Sequence, residues 1–411
     1  MPGVISRPAP RVRARTPVAA TAARSVDTTV RFESFGAVAY VGRRDDFFAL
    51  DRAHADLLRR LAVGARPVRA AEAARVRALA ALGICVTDPP TPPRPNQGRS
   101  VLGRLGELPP LTRPLLVNCF STAHCPLRCV YCHADDLMIP YRDTERAREV
   151  DAVDRTATLI PALVAVVTGG DPIVAPVRAA QLIDRLSRHK RVVLDTSGAG
   201  DVDPLLPALR RAGAHVRVSV DSADRRVHDR ARPINTRYLP RGTSAFDAAH
   251  ATLRRLAEAD VPCSVQTVVG RHNEDGDALR RLRDDLLDRG VRYWVLHAAV
   301  PAGKAERRPA VLPGPDVLDR LRELVAECVA AGLPLDIRVT GTHSAPRSVL
   351  LIDSRGQLCV QRADGPGKQV VWTPDQRPDP ARMRQRLDAC VDWPGHASRY
   401  LNGPLTPVPA G

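Results

Sequence analysis

The 411-residue sequence predicts an α/β chain: an open, partial (β/α)6 TIM-like barrel preceded by a small winged-helix-like domain. Three observations carry this expectation. Six short apolar runs between positions 115 and 299 alternate with helical patterns, as β/α units around a parallel sheet do. An earlier segment pairs strand-like alternation with two amphipathic helices. Between the two lies DPPTPPRPNQGRS, too rich in proline to pack as a regular element and therefore a linker.

Residues 1–27 are rich in Arg, Ala and Pro and nearly free of acids, and are expected to be a disordered tail. The stretch lacks the apolar core of a secretory signal. Residues 28–88 form the first domain. Phe32, Val38, Tyr40 and Phe48 alternate along short antiparallel strands, and Asp51 caps a helix carrying Leu57, Leu58 and Leu61 on one face. A second helix bears Val76, Leu79 and Leu82, Gly83 ends it, and ICVT reads as a closing strand. Residues 89–112 are the linker. The core, 113–305, contains the runs LLVNC, LVAVVTGG, RVVLDTSG, HVRVSVDS, VPCSVQTVVG and VRYWVLHA with helices between them. Six units are too few for the eight-fold barrel. Residues 306–411 form an extension with a helix, strands around VLLID, QLCVQ and KQVVWT, and a final helix from Pro380 to Cys390.

Composition narrows the function. The formal charge of +16 suits an acidic partner, but Lys and Arg are scattered rather than run together, which disfavours nucleic acid. No apolar run is long enough to span a bilayer, so no membrane role is expected. Nine cysteines are too sparse, and odd in number, for a disulfide scaffold. A reducing, cytoplasmic location follows as the expectation.

Three of those cysteines sit together in STAHCPLRCVYCHADD, just after the first core strand: Cys125, Cys129 and Cys132. In α/β architecture that end of the sheet carries the chemistry. A closed zinc site needs a fourth ligand from Cys119, His124 or His133, yet adjacent residues rarely both reach one metal. Soft thiolates at this spacing suit an iron–sulfur cluster better. The run Cys125-Pro-Leu-Arg-Cys129-Val-Tyr131-Cys132 resembles the signature of the radical S-adenosylmethionine (radical SAM) superfamily. That resemblance implies a [4Fe–4S] cluster on the three cysteines, S-adenosyl-L-methionine on the fourth iron, Tyr131 near its adenine, and a one-electron donor of flavodoxin or ferredoxin type. It further implies reductive cleavage to a 5′-deoxyadenosyl radical. TGGDP, with Gly169, Gly170, Asp171 and Pro172, is similar to the stretch that takes the SAM amino group, with Asp where the family has Glu. DTSG places Ser197 where the family has Asn, and VSVDS places Ser219 and Asp221 at the mouth. ADRRVHDRARP is similar to the corresponding loop of peptide-modifying members.

Residues 28–88 resemble the precursor-peptide recognition element of ribosomal peptide biosynthesis, which implies a leader peptide added to a small sheet. IDSRGQLCVQR resembles the start of a SPASM or twitch extension, but the dense cysteine run that should follow is missing. A degenerate auxiliary site on Cys328, Cys359 or Cys390 stays open. The expected function is hydrogen abstraction from a ribosomally made precursor peptide, giving a crosslink or an epimerisation. The alternatives are a small metabolite or a protein side chain as substrate, or a zinc-containing nucleic-acid-binding protein. Cys263, Tyr293 and His297 are candidates for a radical-quenching residue.

Overall fold

The computed structural model describes residues 27–64, 67, 70–84, 110–138, 148–340, 347–363 and 367–401. All of the expected tail but Asp27, most of the linker and all but Ile84 of the ICVT strand lie outside these residues.

Strands β1 (Thr28–Glu33), β2 (Gly36–Val41) and β3 (Asp46–Asp51) form an antiparallel meander in that order. Asp51 then caps α1 (Arg52–Ala62), accepting from the His54 amide at 2.8 Å. α2 (Ala70–Ala81) ends where the Ile84 amide returns to the Leu79 carbonyl and Gly83 takes φ +80°. Leu79, Leu82 and Ile84 pack with Val30, Ala39, Phe48, Leu50 and Leu58 into a small core of this module.

The second sheet runs β4 (Leu116–Thr122), α3 (Arg148–Leu159), β5 (Val164–Gly169), α4 (Pro176–Leu186), β6 (Arg191–Thr196), α5 (Leu206–Ala212), β7 (His215–Ser219), α6 (Arg225–Ala231), α7 (Ala245–Glu258), β8 (Cys263–Val269), α8 (Gly276–Asp288) and β9 (Tyr293–Ala298). The short α9 (Lys304–Arg307) and the long α10 (Val317–Ala330) lead to β10 (Asp336–Thr340). Strands β4 to β10 pair parallel in chain order. All six expected core strands are present, and β10 adds a seventh from within the segment expected to be extension. β11 (Leu351–Ile352) pairs parallel with β4 on the other edge, and β12 (Leu358–Gln361) and β13 (Lys368–Trp372) follow antiparallel. α11 (Pro380–Cys390) and α12 (Trp393–Leu401) close the described chain.

Side chains alternate between the faces of the barrel strands, as a two-residue period requires. Val117, Cys119, Ala165, Val167, Val192 and Leu194 face the helices in one large core. Their neighbours Leu116, Val164, Val166 and Val193 face the lumen, where they meet Val38, Tyr40 and Phe47 of the first module and Ala397 and Leu401 of α12. The β2–β3 hairpin thus plugs the floor of the barrel. Arg31 secures it by donating to the carbonyls of Pro114 and Pro161, just before β4 and β5, at 2.6 and 2.8 Å. At the hairpin tip Asp45, with φ +52°, pairs with Arg217 of β7 and accepts from Tyr40 at 2.9 Å. Asp46 pairs with Arg338 of β10 at 3.2 Å, and Arg44 with Asp336 at 3.0 Å.

Candidate functional site

The residues after β4 form a loop at the C-terminal mouth of the barrel, held on three sides. The segment after α6 runs antiparallel to it: the Arg128 amide donates to the Pro233 carbonyl at 2.8 Å and the Val130 amide to Ala231 at 3.0 Å, with a bridge between Leu127 and Ile234. Asn235 completes this side by reaching the Pro126 and Cys125 carbonyls. On the second side the Lys304 amide donates to the Cys132 carbonyl at 2.9 Å, and its ammonium lies 3.4 Å from the Cys129 carbonyl. Gly303 allows that approach, because a Cβ there would lie 2.3 Å from the Cys132 oxygen.

The third side is TGGDP. The sequence suggested that its glycines open backbone to a ligand. In the structure they first bring β5 against the cysteine loop: Gly170 donates to Thr122 at 2.9 Å and Asp171 to His124 at 2.8 Å. A Cβ on Gly170 would sit 1.9 Å from the His124 carbonyl, with backbone on the opposing side. Gly170→Ala should therefore displace the loop carrying Cys125. The expected result is reconstituted protein with iron well below wild type, checked by iron assay and visible absorbance, and unfolding within about 2 kcal/mol of wild type if strain stays local.

Asp171 is buried, and its carboxylate accepts from Thr196 Oγ1 and the Ser197 amide, both at 2.8 Å, from Ser197 Oγ and from the Ile173 amide at 3.2 Å. These four donors come from the chain itself, so Asp171 brackets β5 to β6. Burial raises its pKa and the Ser197 hydroxyl and amide oppose this. Pro172 starts the short turn that Asp171 caps.

Asp221 differs from its expected place at the mouth. It is fully buried and turned towards the cysteine loop. Its oxygens take Arg232 Nε at 2.8 Å and Nη2 at 3.2 Å, the Val268 amide at 3.0 Å and the Tyr131 hydroxyl. Burial works to raise its pKa, but Arg232 overrides this and holds it at about 2. Arg232 in turn lies 5.5 Å above the Tyr131 ring, with Nη1 3.9 Å from Cys129 Sγ. His272 stacks on Tyr131 with ring centroids 5.6 Å apart. Asp221 is thus a positioning residue behind the loop. Arg232 was not singled out from sequence, although it is the final Arg of the H-D-x-x-R pattern in ADRRVHDRARP.

A cavity of about 360 Å³ opens at this mouth. Cys125, Cys129, Tyr131, Cys132, Gly170, Asp171, Ser197 and Ser219 line it, whereas Gly169, Pro172 and Asp221 are not among its lining residues. Asp195, Arg232, Gln266, His297 and Arg399 line it as well. Of the three quenching candidates, only His297 does; burial pushes its pKa down to about 3. Asp195 is pushed up to about 6 by burial, against the pull of Arg217 at 3.4 Å.

The residues fit an iron–sulfur cluster. Among the described residues no three Cys, His, Asp or Glu side chains converge on a point for a single ion. A cluster instead takes one thiolate per iron, at separate corners. Burial raises the thiols of all three cysteines, Cys129 to about 11, and a bound iron centre reverses that preference. Cys119 lies in β4 beneath the helices, its thiol pushed to about 12 by burial. Cys328, Cys359 and Cys390 are buried in α10, β12 and α11 and join no three-ligand group among the described residues.

A parallel partial barrel with three thiols over a cavity at its mouth defines a class of α/β proteins built around a mouth-bound cluster. Residues 120–286 match the family model of the Radical SAM superfamily, so this part of the chain is a radical SAM domain. Members of the superfamily use a [4Fe–4S] cluster and S-adenosyl-L-methionine. An AdoMet-dependent heme synthase from Methanosarcina barkeri is 28% identical over 208 residues, 49% of this chain and 55% of that protein. The chain thus spans about half the length of that relative. A PqqA peptide cyclase from Gluconobacter oxydans is 29% identical over 257 residues, 60% of this chain and 67% of that protein. Streptococcus suis SuiB bound to S-adenosylmethionine superposes with a TM-score of 0.56 at 14% identity, covering 92% of this chain and 89% of that one. At that identity the likeness shows the fold.

Proposed function

We propose that this chain is a peptide-modifying radical SAM enzyme. Cys125, Cys129 and Cys132 hold the cluster, and a flavodoxin- or ferredoxin-type donor supplies the electron in the cytoplasm. When bound, the cluster and SAM supply one-electron cleavage to a 5′-deoxyadenosyl radical that abstracts hydrogen from substrate. The chain's own residues do the rest. Gly170, Ser197 and Ser219 offer polar groups for SAM, Tyr131 is held by Asp221, and the lumen walls exclude water. The observation that carries the reading is the cysteine trio clamped over a cavity at the barrel mouth. No helix among the described residues is long and apolar enough to cross a membrane.

The substrate proposed is a ribosomally made precursor peptide, crosslinked or epimerised. Support comes from the kinship with a PqqA peptide cyclase and from the likeness to SuiB, which has been solved bound to precursor peptide SuiA. The domain at 28–88 would bind the leader along an outer edge of its sheet, where β1 and β3 have no further strand partner among the described residues. This domain sits at the barrel floor, and β4 is seven residues long. The mouth is therefore roughly 20–25 Å away, and at least about seven extended residues must separate leader from modified position. The heme synthase kinship favours a second reading, a small-molecule substrate.

Anaerobically reconstituted full-length protein should be brown, hold about four irons and convert SAM to 5′-deoxyadenosine with dithionite. The Cys125→Ala, Cys129→Ala, Cys132→Ala triple variant should do none of this. A colourless wild type carrying one zinc would sink the radical reading. For the peptide, a small open reading frame beside the gene should encode a product that binds the full chain and loses two hydrogens on crosslinking, or gains a D-residue at constant mass.

A further inference from the structure

We infer that Arg399 is the carboxylate anchor of the mouth cavity, a role that rests on reading this cavity as the SAM and substrate site. The charges lining the cavity are otherwise spoken for. Arg232 is paired with Asp221, Asp195 with Arg217, and Asp171 accepts four hydrogen bonds from its own chain. Arg399 lines the same cavity, half-buried, with no hydrogen bond or ion pair among the described residues.

Its position is fixed rather than incidental. The ring of His396, three residues before it, accepts from the Leu115 amide at 3.0 Å and contacts the Ser348 carbonyl through Nδ1 at 2.7 Å. Ala397 and Leu401 pack on lumen side chains of β4, β5 and β6, and Tyr400 lies 6.3 Å from Phe47. α12 is therefore held on several sides while its one arginine faces the cavity uncompensated. The neighbouring His297 contacts Thr340, and an imidazole in either protonation state brings no negative charge to pair with the arginine. An unpaired guanidinium on a cavity wall, with its fork of donors, matches a carboxylate best.

Two ligands bring that chemistry: the methionyl carboxylate of SAM, or an acidic side chain of the substrate. Equilibrium dialysis on full-length reconstituted protein separates them. The probes are SAM against decarboxylated SAM, and an Nα-acetyl glutamate amide against its glutamine counterpart. If SAM is the source, Arg399→Gln weakens SAM about tenfold or more and abolishes discrimination against decarboxylated SAM. If the substrate is the source, SAM binding is unchanged, and the wild-type preference for the glutamate probe disappears. Arg399→Lys, which keeps the charge, should retain part of whichever preference is lost and guards against a folding artefact. If Arg399→Gln matches wild type with both probe pairs, the assignment is overturned. A wild type that fails to bind SAM at all would instead overturn the reading of the cavity.

Discussion

Asp221→Ala should destabilise the apo chain by about 3–5 kcal/mol and strip most of the iron from reconstituted protein. Asp221 has no solvent exposure, and Arg232 is 6% exposed. Removing the carboxylate leaves a buried guanidinium without its bidentate partner and a buried Tyr131 hydroxyl without its acceptor. Both sit against the segment that stitches the cysteine loop through Ala231 and Pro233. The damage therefore reaches the cluster ligands as well as the global fold. Urea unfolding gives the first quantity and iron content the second. Asp221→Leu combined with Arg232→Met tests the cause. An apolar pair of similar size should recover much of the stability, because no charge is left buried alone. It should not recover tight cluster loading if Arg232 also tunes Cys129, from which its Nη1 is 3.9 Å. Equal loss in the single and double variants would show that packing volume, not an orphaned charge, is what matters.

The barrel strands were legible because their apolar runs are long and buried on both faces, and the cluster loop because three thiols at fixed spacing have few chemical uses. β10 was not. Its sequence DIRVT places Asp336, Arg338 and Thr340 on the lumen side, where Arg44, Asp46 and His297 meet them. Those partners lie 292 residues away for Asp46 and Arg338, so the charges read locally as loop. α12 was missed for a similar reason: Pro394 and Gly395 open it, and only its docking on the hairpin makes it a helix with a cavity-facing arginine. The TGGDP glycines were found, but their closest steric demand is the His124 carbonyl, which no spacing rule announces. Asp221 was recognised as special, while its direction depended on Arg232, eleven positions away and packed on Tyr131. Local chemistry was readable; orientation set by distant partners was not.

Asp45→Ala should cost about 3 kcal/mol, the lower end of the range for a broken buried pair, because Arg217 keeps Asp195 at 3.4 Å. Asp45 is 1% exposed at the tip of the hairpin that plugs the barrel. Its carboxylate joins Arg217 and Tyr40, and its own carbonyl accepts from Arg338 at 2.9 Å. Two contributions can be separated. Asp45 holds φ +52°, where alanine is strained and glycine is not, so Asp45→Gly should be about 1 kcal/mol less destabilising than Asp45→Ala. The charge is the larger contribution. Burial alone would raise the Asp45 pKa, but Arg217 outweighs it and the folded value is about 2. That is below the unfolded value of about 3.9, so the contribution is complete above pH 4 and is lost as pH falls towards 2, about 2.5 kcal/mol in all. Asp195 titrates with the opposite sign: burial lifts it to about 6, and stability falls as pH rises from about 4 to 6. Asp45→Asn removes the acid-side slope and narrows the Asp195 window, because the Asp45 charge helps to lift the Asp195 pKa. A variant whose stability below pH 4 still tracks wild type would show that the hairpin is held by its apolar face, Val38, Tyr40 and Phe47, and not by the ion pair at its tip.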